Sequence, residues 1–265
     1  MNLWMFMNLN LLRKPLLTKR GLHNVKLAGR EAWESTVFQL TIYTLAICFL
    51  LFYPVNYILA PFTSISVSLV MGFAIGIFLH RGFVHKQFKT YSWVQKPALF
   101  IASMVMFTTS IRWSFAHMYH HKFVDTDQDP HNPLSIGLIG SAFPIFWNKF
   151  PVSMRDMLRL KSHFKDPYHR FMEKYFAYVV IGFYSLLALI SFEFFVYFVL
   201  GCALTNIFVA MVNQLHAWGN PEGVWWSLIS GGEGFHNKHH ENMRDYQDGS
   251  PFIWFIEMVK KNERR

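Results

Sequence analysis

Four long apolar runs leave this chain very few folds to choose from. They occupy roughly residues 37–55, 57–79, 175–192 and 194–213 of 265. About 20 apolar residues at 1.5 Å each carry a helix across a ~30 Å hydrocarbon core. With no water there to satisfy free backbone groups, such segments must be helical. The first two runs are joined around Asn56 and the last two around Glu193. Joints that short make each pair a hairpin. Only 15% of the residues are charged, against about 25% in soluble domains, and the grouping of apolar residues into long runs argues against a large soluble core.

The charges orient the hairpins. Of 25 Lys and Arg, six precede the first run, thirteen lie between the second and third, six follow the fourth, and none sits in either joint. Cytosolic segments carry the basic excess, so both termini and the central segment are expected in the cytosol. The formal charge of +9 is then explained by topology and anionic lipid heads, and no nucleic-acid partner is needed. Cys48 and Cys202 fall inside apolar runs without CxxC spacing and are expected to form no disulfide. The N-terminal stretch places apolar residues before basic ones, which reads as an interfacial segment rather than a secretory signal.

A fifth apolar run, Pro97 to Ser110, has only fourteen residues and is expected to be buried or interfacial rather than spanning. The expected architecture is all-α and integral to the membrane: one domain over 1–265, four transmembrane helices, and a cytosolic helical cap from 80–174 and 214–265. An aromatic and basic stretch from Phe143 to Lys165 is expected along the membrane face.

Nine of the thirteen histidines are clustered, and all nine then fall on the cytosolic side, in four places: His80 and His85; His117, His120 and His121; His216; and His236, His239 and His240. Neutral imidazole suits iron, zinc and copper. Nine ring nitrogens are too many for one ion and about right for two. The i, i+3, i+4 spacing of the two triplets places each on one helix face. His80 and His85, five apart, diverge by ~140° on a straight α-helix, so the chain is expected to bend between them, with Gly82 permitting it. Asn213, one turn before His216, is a candidate to hold a metal-bound water. Asp125 and Asp129 are candidates to orient imidazoles, since ligating rings usually donate their second N–H to a carboxylate or carbonyl; a turn at Asp129-Pro130 is the competing reading. His23, His163 and His169 are read as surface residues. No acid that would serve a zinc hydrolase stands out inside a box. A histidine-held metal pair beside a bilayer points instead to oxidation of hydrocarbon, where the cofactor carries the hard step.

The boxes HRGFVH, HMYHHKF and GGEGFHNKHH, the stretch VDTDQDPHN and the 31 residues between His85 and His117 resemble those of membrane fatty acid desaturases, in the stearoyl-CoA (acyl-CoA) branch. His216 followed by Ala-Trp-Gly resembles that branch's extra histidine. The resemblance implies two iron ions on the nine histidines, with no catalytic residue beyond these ligands, and O2 as co-substrate. It implies a long-chain acyl-CoA or other acyl substrate, a cis double bond at carbon 9, and an external electron donor of the cytochrome b5 or ferredoxin type. It places the protein in the endoplasmic reticulum or a bacterial inner membrane, and marks Trp113 as a substrate-binding position. Phe115 and Ala116 stand where animal acyl-CoA members have an Arg-Asp pair, which leaves phospholipid-linked chains open as substrates. A related lipid hydroxylase is the alternative chemistry. A metal transporter is disfavoured because its ligands belong near the bilayer midplane.

Overall fold

The computed structural model describes residues 25–26, 30–146, 151–152, 158–215, 223–229, 232–247 and 249–261. His23, His216 and Gly231 lie outside them, as do most of the N-terminal stretch and part of 143–165; of Asn213 only the backbone is described. Helices build nearly everything. The described strands are two-residue pieces, β1 (Val25–Lys26) and β2 (Pro151–Val152), paired antiparallel.

Helices long and apolar enough to cross a membrane cover Trp33–Phe52, Leu59–Val84, Pro167–Ile190 and Phe192–Ala210. They belong to α1 (Arg30–Phe52), to α2 (Leu59–Gly72) running on as a π-helix through Phe73–Val84, and, further along the chain, to Pro167–Ile190 and Phe192–Leu215. The first two expected spans are shifted: α1 ends at Phe52, and the second continues past residue 79 to Val84, so residues 80–84 finish a span rather than open the cap. Asn56 makes the first joint, its side chain accepting the N–H groups of Ile58 and Leu59 at 3.0 Å. The second joint is at Ser191, not Glu193. Ser191 leaves helical geometry and its hydroxyl accepts the Phe194 N–H at 3.2 Å, while Glu193 sits in the next helix's first turn. The third span begins eight residues before its expected start, because Asp166 caps it on the Tyr168 N–H and Pro167 fills the first position.

The outer faces show the solvent for which these helices are built. Phe52, Phe62, Val70, Tyr178, Leu189 and Ile190 are all more than half exposed, the reverse of a soluble protein. Inward, Val196, Val199 and Cys202 are fully buried. Gly201 is where the last span meets α2: a methyl group there would lie 2.5 Å from Val67 Cγ1. Both cysteines are free.

The short apolar run becomes α3 (Ser92–Met106), bent by 74° from α4 (Ser110–Phe123). Phe107 takes the left-handed conformation at the bend. Carbonyls freed there receive side chains from three spans: Ser35 Oγ donates to Phe107 O, Tyr184 Oη to Met104 O at 3.2 Å, and Asn206 Nδ2 to Val105 O at 2.8 Å. Such donors make a helix end tolerable where water is scarce. Thr109 then caps α4 by accepting the Arg112 N–H. The pair leaves the end of the second span and returns to it, as the His80 and His117 rings, 4.5 Å apart between centroids, require. The non-spanning reading of this run agrees.

The remaining helices, in chain order, are the short α5 (Pro133–Ala142) and α6 (Lys161–Lys165), the spans α7 (Pro167–Ile190) and α8 (Phe192–Leu215), and the short α9 (Val224–Ile229), α10 (His236–Glu241) and α11 (Ile253–Val259).

Candidate metal centre

His80 and His85 meet without a bend. The π-helix closes i→i+5 hydrogen bonds, the last from the His85 N–H to the His80 carbonyl at 3.1 Å. That wider turn brings positions five apart onto one face, and the two rings stand 4.8 Å apart. The expected break at Gly82 is therefore corrected. Gly82 is glycine because Phe88 packs over it, 3.1 Å from where a Cβ would sit.

Around this pair, His117 and His121 from α4 and His239 from α10 complete a five-ring group. His239 Nε2 lies 2.9 Å from His80 Nε2, 3.1 Å from His85 Nε2 and 3.2 Å from His121 Nε2. His117 Nε2 is 2.9 Å from both His85 Nε2 and His121 Nε2. Beside it, His120, His236 and His240 form a second group, with His240 Nε2 2.9 Å from His236 Nε2. The groups adjoin where the His121 and His240 rings lie 4.3 Å apart. Eight of the nine expected ligands thus converge. His216 and the Asn213 side chain fall outside the described residues.

The hydrogen-bond partners fix which nitrogen faces inward. His80 Nδ1–H donates to Glu233 Oε1 at 2.7 Å, His236 Nδ1–H to Glu233 Oε2 at 3.1 Å, and His120 Nδ1–H to Asp129 Oδ2 at 2.8 Å. With the proton on Nδ1, each Nε2 presents a lone pair. One N–H on His239 could satisfy only one of its three Nε2 neighbours. A cation among them satisfies all, so the donor set fits a metal with nitrogen ligands. Burial also keeps rings neutral: it pushes His85 from the ordinary 6.5 down to about 2, and lowers His239 as well.

Glu233 is the residue that sequence reasoning missed. It is 2% exposed. Burial alone would raise its carboxyl pKa, but His80, the hydrogen bonds from His236 and His80, and Arg81 hold it well below the ordinary value. The available signal was its place three residues before His236 in GGEGFH, one helical turn away. Its neighbour Gly234 has no room for a side chain, since a Cβ would lie 2.2 Å from the Ser227 backbone nitrogen.

Asp129, fully buried, anchors the turn after α4 as well. It accepts the N–H groups of Asp125 and His131 at 3.3 and 3.1 Å. Both readings of that turn thus meet in one side chain. Asp125 is exposed, with φ +57°, and contributes its backbone N–H. His131 stacks on His120 at 4.5 Å, and with Asp129 and His120 forms a third buried cluster of possible ligands. Trp113 lies flat on His117, centroids 4.3 Å apart and planes 11° apart, so its visible part is to hold a histidine. Phe115 and Ala116 are buried apolar residues. His169, read as a surface residue, is 4% exposed, because the third span starts early and carries it under Phe83. His163 is half-buried beside it.

Comparison with known proteins follows the same line. A family model described as fatty acid desaturase matches residues 58–245. Among relatives, the chain is 27% identical to delta-9 acyl-lipid desaturase 1 of Arabidopsis thaliana, over 69% of this chain and 67% of that one. It is 26% identical to the chloroplastic palmitoyl-monogalactosyldiacylglycerol delta-7 desaturase of the same plant, over 69% and 55%. It is 28% identical to the acyl-CoA C20 Delta5-desaturase of Anemone leveillei, over 63% and 58%. The chain thus spans between about half and two thirds of the length of these relatives. With a matched region covering well over half its length and two histidine groups at the end of two apolar hairpins, this multi-pass chain belongs to the fatty acid desaturase family.

Proposed function

We propose that the protein is an O2-dependent desaturase that places a cis double bond, at carbon 9, in a saturated long-chain acyl group, with two iron ions on the nine histidines. The carrying observation is the convergence of eight of those rings, each from a named box, into two adjoining groups. Iron, when bound there, supplies with O2 and two external electrons the oxidising power to remove two hydrogens from adjacent methylenes. The chain's own task is to hold and shield. The five-ring and three-ring groups present Nε2 lone pairs, Glu233 and Asp129 keep the protons on Nδ1, and Trp113 backs His117. Burial of His80, His117, His120 and His239 keeps water from the centre. The distribution of Lys and Arg supports a cytosolic rim, where a cytochrome b5 or ferredoxin-type donor would deliver electrons.

The head group admits two readings. The branch resembled in the boxes favours an acyl thioester, acyl-CoA. Buried, uncharged Phe115 and Ala116, with relatives named for acyl-lipid and galactolipid substrates, favour a lipid-linked chain. Expression in cells that lack unsaturated fatty acids, with mass spectrometry of acyl-CoA and intact lipid pools, tests both. The expected result is a new cis double bond at carbon 9, appearing first in the pool that is the true substrate. A hydroxylated product would overturn desaturation.

A further inference from the structure

We propose that Glu233, held by Arg81, couples the two histidine groups, so that one buried carboxylate sets the metal affinity of both. The inference rests on the reading of these groups as metal ligands and goes beyond it. Each oxygen of Glu233 serves a different group: Oε1 takes the Nδ1–H of His80, in the five-ring group, and Oε2 that of His236, in the three-ring group. The two oxygens are rigidly joined, so the positions of these rings, 6.1 Å apart between centroids, are set against one another by one planar group. The negative charge shared by both imidazoles raises the basicity of both Nε2 atoms.

The carboxylate has little freedom to choose one partner. Arg81, 1% exposed in the π-helix, places Nη1 3.4 Å from Glu233 Oε1 and 3.1 Å from Gly76 O, and donates from Nη2 to Gly232 O at 2.9 Å. The backbone on either side is clamped: Gly232 N–H donates to Ser227 O at 2.7 Å, and Gly223 N–H to Gly234 O at 2.9 Å. Gly232 itself sits at φ +106° with Arg81 Nη1 3.2 Å from where a Cβ would be. First and third boxes, more than 150 residues apart, are therefore registered through Arg81 and Glu233. Asp129, bonded to His120, supplies the contrast, since its hydrogen bond to these ligands enters the three-ring group.

The test uses full-length protein in lipid nanodiscs, loaded anaerobically with Fe2+, with iron per chain and its release to a ferrous chelator as readouts. Wild-type protein is expected to hold two irons released in two phases. Asp129→Asn should speed one phase and Glu233→Gln both, each by about 10–100-fold, the usual cost of losing an outer partner of a metal ligand. Arg81→Lys, which keeps the charge but loses the forked reach, should move both phases by less. If Glu233→Gln fails to fold, Glu233→Asp, one methylene too short to serve both rings, must show the same two-phase change. Glu173→Gln, in the Arg112 ion pair outside both histidine groups, controls for general loosening: it should lower the melting temperature and leave both phases alone. Acceleration of one phase or of neither by Glu233→Gln overturns the coupling, as does equal acceleration by Glu173→Gln. Wild-type protein that binds fewer than two irons overturns the underlying two-metal reading instead.

Discussion

The five-ring and three-ring groups are built from the same boxes yet differ in construction. In the first, His80, His85, His117 and His239 are buried and His121 is partly open, the five drawn from the end of the π-helix, α4 and α10. In the second, His120 and His236 are buried while His240 is partly open, and Asp129 and His131 stand on one flank. The triplets do not stay together: His117 and His121 go to the first group and His120 to the second, while His239 goes to the first and His236 and His240 to the second. Adjacent helical residues are turned by ~100°, so α4 and α10 each lie between the groups and feed both. A histidine triplet is therefore a divider of ligands rather than a ligand set.

The largest expected effect comes from removing one ring from each group. His239→Ala and His120→Ala should each reduce unsaturated product at least ~100-fold with membrane insertion unchanged, because the proposed metal pair would act as a unit; full product from either variant would separate the groups functionally. Next, Gly234→Ala should affect both groups together, since the new methyl meets backbone rather than a side chain that could swing away; iron content near two per folded chain would show that the third box tolerates displacement. Trp113→Leu should act on the first group. Losing the stacked ring contact, worth ~0.5–1.5 kcal/mol beyond burial, should weaken that group's iron by up to about tenfold, with the second release phase unmoved. The smallest effect is in pH. His85 protonates near 2 when folded and near 6.5 when unfolded, so between these values the unfolded chain binds more protons. Its contribution to the stability of metal-free protein is fully present above about 6.5 and is lost progressively as pH falls toward 2. A melting temperature independent of pH between 7 and 5 would contradict neutral buried rings.

Much of this was legible in the chain. The apolar runs gave the hairpins, and the fourteen-residue run gave the non-spanning pair that brings His85 and His117 back together. Their limits were less legible, because caps decide them: Asp166 starts the third span early and Ser191 ends it before Glu193. His169 reads as a solitary surface histidine in sequence, and only the course of α7 past Phe83 buries it. Glu233 was visible within the third box, but nothing local shows that it faces His80, 153 residues away.

The sequence by itself determined the solvent of each segment and the donor atoms of the centre, since hydropathy and side-chain chemistry are properties of residues. The tertiary structure alone decided which rings share a group, that a π-helix brings His80 onto the face of His85, and that one carboxylate reaches both groups. Those depend on helix winding, and on contacts between segments that packing brings together from far apart in the chain.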